Sequence, residues 1–289
     1  MARASDQAEN ASLSAALRAA DGPVTLLGYD TAATPLAPGG KSRTLAELAR
    51  TGQSLAEQQE MLYARGATGD RRRVLLVLQG TDTSGKDGVV RHVVGEVGPA
   101  GVSIRSFKKP TPAEAAHHFL WRIRRALPDA GMIGVFNRSH YEDVLVTRVH
   151  ELIDQDAWLT RIEEINAFER ELVTAGDTTI IKCFLHIGYA EQRDRLLARL
   201  DDRTKLWKFN PADIDERAYW SDYQSAYAAV IARTSTDLAP WYVVPSDRKW
   251  YRNWAIGQLL AEALGGLGLA YPAADFDIEA ARARLQPPY

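Results

Sequence analysis

The segment GTDTSGK, residues 80–86, has the spacing of a phosphate-binding loop. Gly80 and the pair Gly85-Lys86 match the pattern G-x-x-x-x-G-K, in which glycines let backbone amides converge on phosphate oxygens and the lysine adds positive charge. That pattern continues with Ser or Thr, whose hydroxyl binds magnesium, but this chain has Asp87 there. A second acid, Asp82, lies within the loop. The segment therefore predicts a phosphate site with an unusual arrangement of acids.

Each of these acids has two interpretations. An unpaired carboxylate in an anion-binding loop repels phosphate, so Asp82 is expected to bind magnesium between itself and the ligand. The alternative is that Asp82 only forms the turn, as Asp often does. Asp87 can cap the start of a helix, where negative charge is stabilised, or contact metal-bound water. The helix cap is the favoured interpretation. The residues expected around the phosphate are Gly80, Thr83, Ser84, Gly85, Lys86 and Asp87.

A second motif, FNRSHYEDVLVTRVH at residues 136–150, follows a short apolar run. Ligands of open parallel sheets bind at the carboxyl ends of strands, where Asn137 and Arg138 should emerge. Arg138 can bind a phosphoryl group through two parallel hydrogen bonds. Glu142 and Asp143 can bind metal or orient an acceptor phosphate, although acids are also common in the first turn of a solvated helix. The motif therefore predicts a second set of charged groups beside the loop.

Cationic residues are concentrated near the ends of predicted strands and helices. Lys108 and Lys109 come directly after a strand and should emerge beside the phosphate loop, and Arg122 follows them. Further expected phosphate-binding cations are Arg199, Arg203, Lys205, Lys208 and Arg248. Runs of charge usually form solvated surfaces, and Arg124 and Arg125 are interpreted in that way. Together these clusters suit a linear polyanion bound in a local channel.

Short apolar runs rich in β-branched residues alternate with helical segments, at residues 74–78, 102–107, 132–136, 178–187 and 241–244. Strands that are apolar on both faces and separated by helices predict a parallel sheet covered on both sides. In the second crossover, Thr111-Pro112-Ala113-Glu114 carries the signal of a helix start. The predicted fold class is therefore α/β, with three layers in the order α/β/α.

The predicted domain organisation is an N-terminal arm, residues 1–43, followed by one domain, residues 44–289, whose first helix covers about 44–66. An insertion at about 201–236 interrupts the alternation of strands and helices. Such an insertion suits a lid over a site, although periodicity alone slightly favours an extra helical hairpin. Tyr219, Tyr223 and Tyr227 share one helical face, for which core packing is favoured over nucleobase stacking.

The composition limits the classes of partner. The 289-residue chain has 46% hydrophobic and 25% charged residues and a net charge of −2, so no overall field attracts it to nucleic acid or to an anionic membrane. The chain has a single cysteine, Cys183, and this excludes a disulfide framework. Cys183 is expected to be a buried thiol. No apolar run approaches the ~20 residues of a membrane span and no signal peptide is recognisable, so a cytoplasmic location is expected.

Three segments resemble the polyphosphate kinase 2 family over about residues 40–265: QGTDTSGKDG, FNRSHYEDVLVTRVH and KLWKFNPADIDERAYWSDY. The resemblance implies a P-loop kinase-like fold with a helical lid, and inorganic polyphosphate and nucleotides as substrates. It also implies magnesium as the cofactor and a homo-oligomer, either a dimer or a tetramer. The form RSHYEDVLV looks like the branch that accepts nucleoside monophosphates as well as diphosphates. Neither nucleic acid nor a membrane is expected as a partner.

The expected function is polyphosphate-dependent phosphoryl transfer to AMP or ADP, or the reverse reaction. The catalytic residues that the motifs and the resemblance indicate are Asp82, Lys86, Arg138, Glu142 and Asp143. Asp82 and Asp143 are the expected metal ligands. Asn137, Arg138 and Glu142 are expected to contact an adenine or guanine nucleotide. Two alternatives stay open: a nucleotide kinase that uses ATP as donor, and a nucleotide-binding module without catalysis.

Overall fold

The computed structural model describes residues 12–175 and 177–286, and its centre is a five-stranded sheet. The strands are β1 (Arg73–Gln79), β2 (Val102–Ser106), β3 (Ile133–Asn137), β4 (Thr178–His186) and β5 (Trp241–Pro245). Their order across the sheet is β2-β3-β1-β4-β5, and all neighbouring pairs are parallel. Each observed boundary lies within one residue of the predicted one, so the predicted strands and the parallel sheet are confirmed.

Helices cover both faces of the sheet. They are α1 (Leu13–Leu17), α2 (Lys41–Ala67), α3 (Lys86–His92), α4 (Pro112–Ala115), α5 (Trp121–Arg124), α6 (Glu142–Val149), α7 (Gln155–Thr174), α8 (Tyr189–Leu200), α9 (Ala212–Glu216), α10 (Trp220–Thr234), α11 (Lys249–Gly266) and α12 (Ile278–Leu285). Leu75 and Val77 of β1 pack in a core with α6, α7 and α10. Val74, Leu76 and Leu78 pack in a second core with α2, α3 and α11. The three-layer α/β/α architecture is therefore confirmed.

The sheet register places the two motifs of the sequence side by side. β1 and β3 are neighbours, and Leu78 near the end of β1 lies opposite Asn137, the last residue of β3. The amide of Arg138, the first residue after β3, donates to Leu78 O at 3.0 Å. The loop after β1 and the loop after β3 therefore leave the same edge of the sheet together, as parallel strands require.

The described part of the N-terminal arm packs against the domain. Leu13 and Leu17 of α1 are buried in the second core. Arg18 forms an antiparallel bridge with Tyr242 of the edge strand β5. The first helix of the domain is Lys41–Ala67, so it begins before the predicted end of the arm at residue 43. Residues 1–11 of the arm and residues 287–289 of the domain lie outside the described residues.

The insertion at residues 201–236 is helical throughout most of its length. It contains a 3-10 helix at Leu206–Lys208, then α9, a second 3-10 turn and α10. The three tyrosines of this segment have different environments. Tyr227 is buried in the first core and Tyr223 packs against that core, and both line one cavity, whereas Tyr219 is 40% exposed. Core packing is therefore confirmed for Tyr227.

Three further observations bear on expectations from the sequence. Thr111 Oγ1 accepts from the Glu114 amide and the Glu114 carboxylate accepts from the Thr111 amide, so the expected helix start forms completely. Cys183 is fully buried in β4, and burial raises the pKa of its thiol. Across residues 12–175 and 177–286, none of the helices combines the length and the apolar character that crossing a membrane requires.

Candidate active site

The phosphate-loop segment, residues 80–86, connects β1 to α3 at the carboxyl end of the sheet. Gly80 has a φ of +153° and Gly85 a φ of +108°, which residues with a side chain rarely adopt. A Cβ atom at Gly80 would lie 2.7 Å from Ser84 Oγ and 2.8 Å from Leu185 O. The turn therefore requires glycine at both positions, as the sequence pattern predicts.

Two buried arginines outside the motif support this loop from behind. Arg195 of α8 donates to Thr83 O at 2.8 Å and to Ser84 O at 3.1 Å. Arg252 of α11 donates to Ser84 O at 3.0 Å. Because a trans peptide directs its C=O and its N–H to opposite sides, the Gly85 amide faces away from both arginines. The sequence gives no local signal for this support, since both arginines come from helices far along the chain.

The variant Gly85→Ala tests the support of the loop. An alanine Cβ would lie 1.8 Å from Arg252 Nη1, and a φ of +108° is strained for alanine. We expect the free energy of unfolding to fall by about 1–3 kcal/mol and the affinity for tripolyphosphate to fall with it. Urea denaturation and titration calorimetry measure the two quantities. Gly266→Ala, where no atom lies within 4 Å of the new Cβ, is the control; equal behaviour of the two variants would contradict the prediction.

Lys86 begins α3, and only 8% of its surface is exposed. Its ammonium donates to Gly80 O at 2.7 Å and to Thr81 O at 3.2 Å. Burial, and then the positive charge of Arg138, lower the pKa of Lys86 to about 8, while Asp82 and other acids oppose the change. An anion bound in the loop would favour the charged form of this lysine. The charge of Lys86 therefore depends on the pH and on whether an anion is bound in the loop.

The acids Asp82 and Glu142 converge on the guanidinium of Arg138. The distance from Arg138 Nη2 to Asp82 Oδ1 is 2.8 Å, and from Arg138 Nη1 to Glu142 Oε2 it is 3.0 Å. Glu142 in particular raises the pKa of Arg138, so this side chain is always charged. The φ of Arg138 is +62°, which is uncommon for a residue other than glycine. The structure thus brings together three of the predicted site residues, from the loop after β1, the loop after β3 and the start of α6.

Asp143 points to another part of the structure. Its carboxylate lies 3.2 Å from Arg122 Nη2, and burial raises its pKa while Arg122 opposes that rise. Arg122 is itself buried and also donates to Lys108 O at 2.8 Å. The structure therefore brings Glu142, and not Asp143, to Asp82. That Asp143 binds a metal or takes part in catalysis stays a prediction.

Asp87 links three segments of the site. It lies in the first turn of α3, as the helix-start interpretation requires. Its oxygens, however, accept from Asn137 Nδ2 at 2.8 Å and from Lys208 Nζ at 3.4 Å rather than from the helix amides. These contacts keep the pKa of Asp87 below its ordinary value, although burial acts in the opposite direction. Asp87 therefore joins the phosphate loop to the end of β3 and to the helical insertion.

Two cavities meet at Asp82 and Arg138, and both residues line both cavities. The first, here called the phosphate cavity, has a volume of about 240 Å³, and its lining includes Lys86, Asp87, Lys108, Asn137 and Arg199. The second, here called the aromatic cavity, measures about 50 Å³, and its lining includes Glu142, Leu145, Gln192, Asp213, Glu216, Trp220 and Tyr223. The first offers cations to an anion, and the second combines carboxylates with apolar surface. Asp213, Glu216 and Gln192 were not among the residues that the sequence indicated.

Six predicted phosphate-binding cations lie outside the lining of these two cavities: Arg122 and Lys208, described above, and Lys109, Arg203, Lys205 and Arg248. Lys109, Arg203 and Arg248 are exposed. Lys205 is also exposed, and its ammonium lies 2.6 Å from the Asp202 carboxylate. Each of the four is exposed to solvent and lines neither cavity. Their role in binding polyphosphate stays a prediction.

Comparisons with known proteins agree with this geometry. The family model for polyphosphate kinase 2 (PPK2) matches residues 40–266. The AMP/ADP-polyphosphate phosphotransferase of Meiothermus ruber is 47% identical over 252 residues, which cover 87% of this chain and 92% of that protein. The ADP-polyphosphate phosphotransferase of Rhodopseudomonas palustris is 43% identical over 239 residues, which cover 78% of this chain and 81% of that protein.

A solved structure extends the similarity to three dimensions. The crystal structure of polyphosphate kinase 2 from Arthrobacter aurescens TC1 matches with a TM-score of 0.92 and 49% sequence identity, covering 95% of this chain and 96% of that one. The matched family region contains both cavities, both loops and the helical insertion. The chain therefore belongs to the polyphosphate kinase 2 family.

Proposed function

We propose that this protein transfers a phosphoryl group between inorganic polyphosphate and AMP or ADP, with magnesium as cofactor. The observation that carries the proposal is the position of Arg138, whose side chain lines both the phosphate cavity and the aromatic cavity. A cation shared by two adjoining sites can neutralise a phosphoryl group as it passes from donor to acceptor. The names of the relatives from Meiothermus ruber and Rhodopseudomonas palustris support the same substrates.

The two cavities suggest a division of roles. The end of the polyphosphate chain occupies the phosphate cavity, where Lys86 and the loop amides contact it and Lys108 and Arg199 lie along its path. The acceptor phosphate approaches from the side of Glu142. Alignment of its oxygen with the transferring phosphorus supplies much of the rate. A general base is unnecessary, because a nucleotide phosphate is already ionised at neutral pH.

The nucleoside part of the acceptor belongs in the aromatic cavity. Its rings, Trp220 and Tyr223, offer apolar surface, while Glu216 and Asp213 offer hydrogen-bond acceptors. Helix α9, none of whose residues is buried, contributes Asp213 and Glu216 to this cavity and can move as a lid, while α10 stays packed in the first core.

The residues present fit a magnesium ion. Asp82 and Glu142 already converge on one cation, Arg138. Within the described residues, the buried hydroxyls of Thr81 and Thr83 have no hydrogen-bond partner. No group of three potential ligands occurs among residues 12–175 and 177–286, and magnesium is commonly held by one or two carboxylates plus substrate phosphates. Asp82 and Glu142 would hold the ion, which when bound would neutralise charge on the phosphates.

A product assay with purified protein tests the proposed function. AMP, ADP and GDP are each incubated with polyphosphate and magnesium, and separately AMP is incubated with ATP as the donor. We expect ADP or ATP to form from polyphosphate and only background conversion with ATP as donor. Phosphorylation of AMP with ATP as the donor, without polyphosphate, would instead indicate an ordinary nucleotide kinase. Tight nucleotide binding without any product would indicate a binding module.

The lowered pKa of Lys86 predicts a pH dependence of phosphate binding. Because this pKa is about 8 in the free protein, the lysine is charged below pH 8 and neutral well above it. The affinity for tripolyphosphate should therefore be constant below pH 8 and fall above it, by up to about tenfold per pH unit. Titration calorimetry between pH 7 and 9.5 measures the profile. Lys86→Arg keeps the charge at every pH and should remove the fall, so an identical fall in that variant would contradict the assignment.

The oligomeric state and the location stay predictions from the sequence. We propose a dimer or a tetramer, which light scattering after gel filtration would distinguish from a monomer. A cytoplasmic location is likewise proposed, and cell fractionation would test it.

A further inference from the structure

A cluster of polar side chains is buried beneath the β3–α6 loop, which carries Arg138 and leads into Glu142. Lys182 of β4 is fully buried, and Glu169 of α7 and Tyr141 of the β3–α6 loop are also inaccessible to solvent. Lys182 lies between the apolar residues Ile181 and Cys183, inside the sheet. An ammonium and a carboxylate in such a place lose their hydration at a large cost in free energy. A buried charged pair must therefore contribute something that offsets this cost.

Every hydrogen of the Lys182 ammonium has an acceptor. Lys182 Nζ donates to Glu169 Oε2 at 2.6 Å, to Tyr141 OH at 2.9 Å and to Thr234 O at 2.7 Å. The Tyr141 hydroxyl in turn donates to Glu169 Oε1 at 2.8 Å, and His140 Nε2 lies 3.2 Å from the same oxygen. Burial favours a protonated Glu169, but Lys182 and His140 lower its pKa below the ordinary value. The cluster is therefore a hydrogen-bonded ion pair.

Stability alone does not explain this ion pair. Replacing a buried ion pair with apolar residues of similar volume is often neutral or stabilising, because the cost of dehydration disappears. The pair does, however, fix the relative positions of four segments. Glu169 belongs to α7, Lys182 to β4, Thr234 to the end of α10, and Tyr141 to the β3–α6 loop. The cluster therefore fixes the relative positions of these four segments rather than adding to the stability of the fold.

The loop that the cluster holds is short and strained. Arg138, with its φ of +62°, lies three residues before Tyr141, and Glu142 follows Tyr141 directly. Within the loop, the Tyr141 amide donates to Ser139 Oγ at 3.2 Å. A strained backbone persists only where the surrounding structure determines it. The anchor at Tyr141 limits where the side chains of Arg138 and Glu142 can lie.

We propose that the cluster of Lys182, Glu169 and Tyr141 is a positioning device that fixes Arg138 and Glu142 for phosphoryl transfer. This inference rests on the proposed function. Its three residues touch neither cavity and act only through the loop. Because Thr234 ends α10, the same device ties the base of the helical insertion to the loop.

The test is the double variant Lys182→Met/Glu169→Leu, which removes both charges and keeps an apolar core. We expect a folded protein with a lower melting temperature, because the Tyr141 hydroxyl, His140 and Thr234 O lose buried partners. Its kcat should fall by about 10²-fold, with little change in KM for polyphosphate, because reacting groups are misplaced and substrate binding is kept. Hydrogen–deuterium exchange should accelerate in peptides covering residues 136–145 and stay unchanged in β1.

A matched control comes from the neighbouring residue on the same strand. Cys183 packs in the core on the opposite face of the sheet from Lys182. Cys183→Ala should lower the melting temperature but leave kcat and exchange at residues 136–145 unchanged. If the double variant does not fold, Tyr141→Phe removes one hydroxyl at constant ring size and should lower kcat and accelerate the same exchange.

The outcomes separate this inference from the proposed function. A folded double variant with wild-type kcat, or with unchanged exchange at residues 136–145, would overturn the positioning role. Unchanged exchange would overturn the positioning role even if the protein showed no turnover. Failure of the wild-type protein to use polyphosphate would refute the proposed function, while faster exchange in the variant would still support the anchoring of the loop.

Discussion

Lys86→Met is expected to lower kcat/KM for polyphosphate-dependent transfer by about 10³-fold, because it removes a buried cation that neutralises charge in the transition state. In the free protein the ammonium is held by Gly80 O and Thr81 O, within the proposed phosphate loop. Methionine keeps the length and the apolar stem of lysine. The melting temperature should therefore change by less than about 4 °C. Steady-state kinetics and thermal denaturation measure the two effects.

Lys41→Met is the control for the loss of one positive charge. Lys41 is exposed at the start of α2 and lines neither cavity of the site. Its replacement should leave the kinetics at the wild-type level. Near-normal turnover in folded Lys86→Met protein would show that the loop at residues 80–86 is not the phosphate site.

Asp82→Asn is expected to lower kcat by about 10³-fold through the loss of a carboxylate that we propose as a magnesium ligand. The sign of its effect on binding gives a sharper test. Without magnesium the variant should bind tripolyphosphate more tightly than the wild type, because a negative charge has left an anion site. With magnesium the wild type should gain affinity, and the variant should not. Titration calorimetry with and without magnesium separates the two cases.

Asp194→Asn provides a matched change of charge on the surface. Asp194 lies on α8, is exposed, and pairs with its neighbour Arg193 at 2.8 Å. This variant should keep the wild-type response to magnesium. If Asp82→Asn also kept that response, then Asp82 would be a turn-forming residue and not a metal ligand.

The fold could be predicted because its signals are local and repeated. Each strand is a run of apolar residues, and the helices between them leave a parallel sheet as the only arrangement that buries both faces. The proximity of Asp82 and Arg138 also followed from local information. Each comes soon after a strand, and β1 and β3 turned out to be neighbours.

The parts of the site that escaped prediction depend on contacts between distant segments. Glu142 and Asp143 are adjacent, and successive helical residues point about 100° apart; only the packing of Arg122 shows which one faces away. The support of the loop by Arg195 comes from a helix more than a hundred residues later. Lys182 is a charged residue within an apolar strand, and the sequence does not show that Glu169 is its partner.

The burial of Cys183 has a practical consequence. Because it is the only cysteine in the sequence and its thiol is inaccessible, thiol-reactive dyes will spare it. Trp207, 79% exposed in the helical insertion, and the exposed Lys109 are suitable sites for attachment. A Trp207→Cys/Lys109→Cys protein labelled with a donor and an acceptor fluorophore would report the distance between insertion and sheet edge in single molecules, without first removing a native thiol.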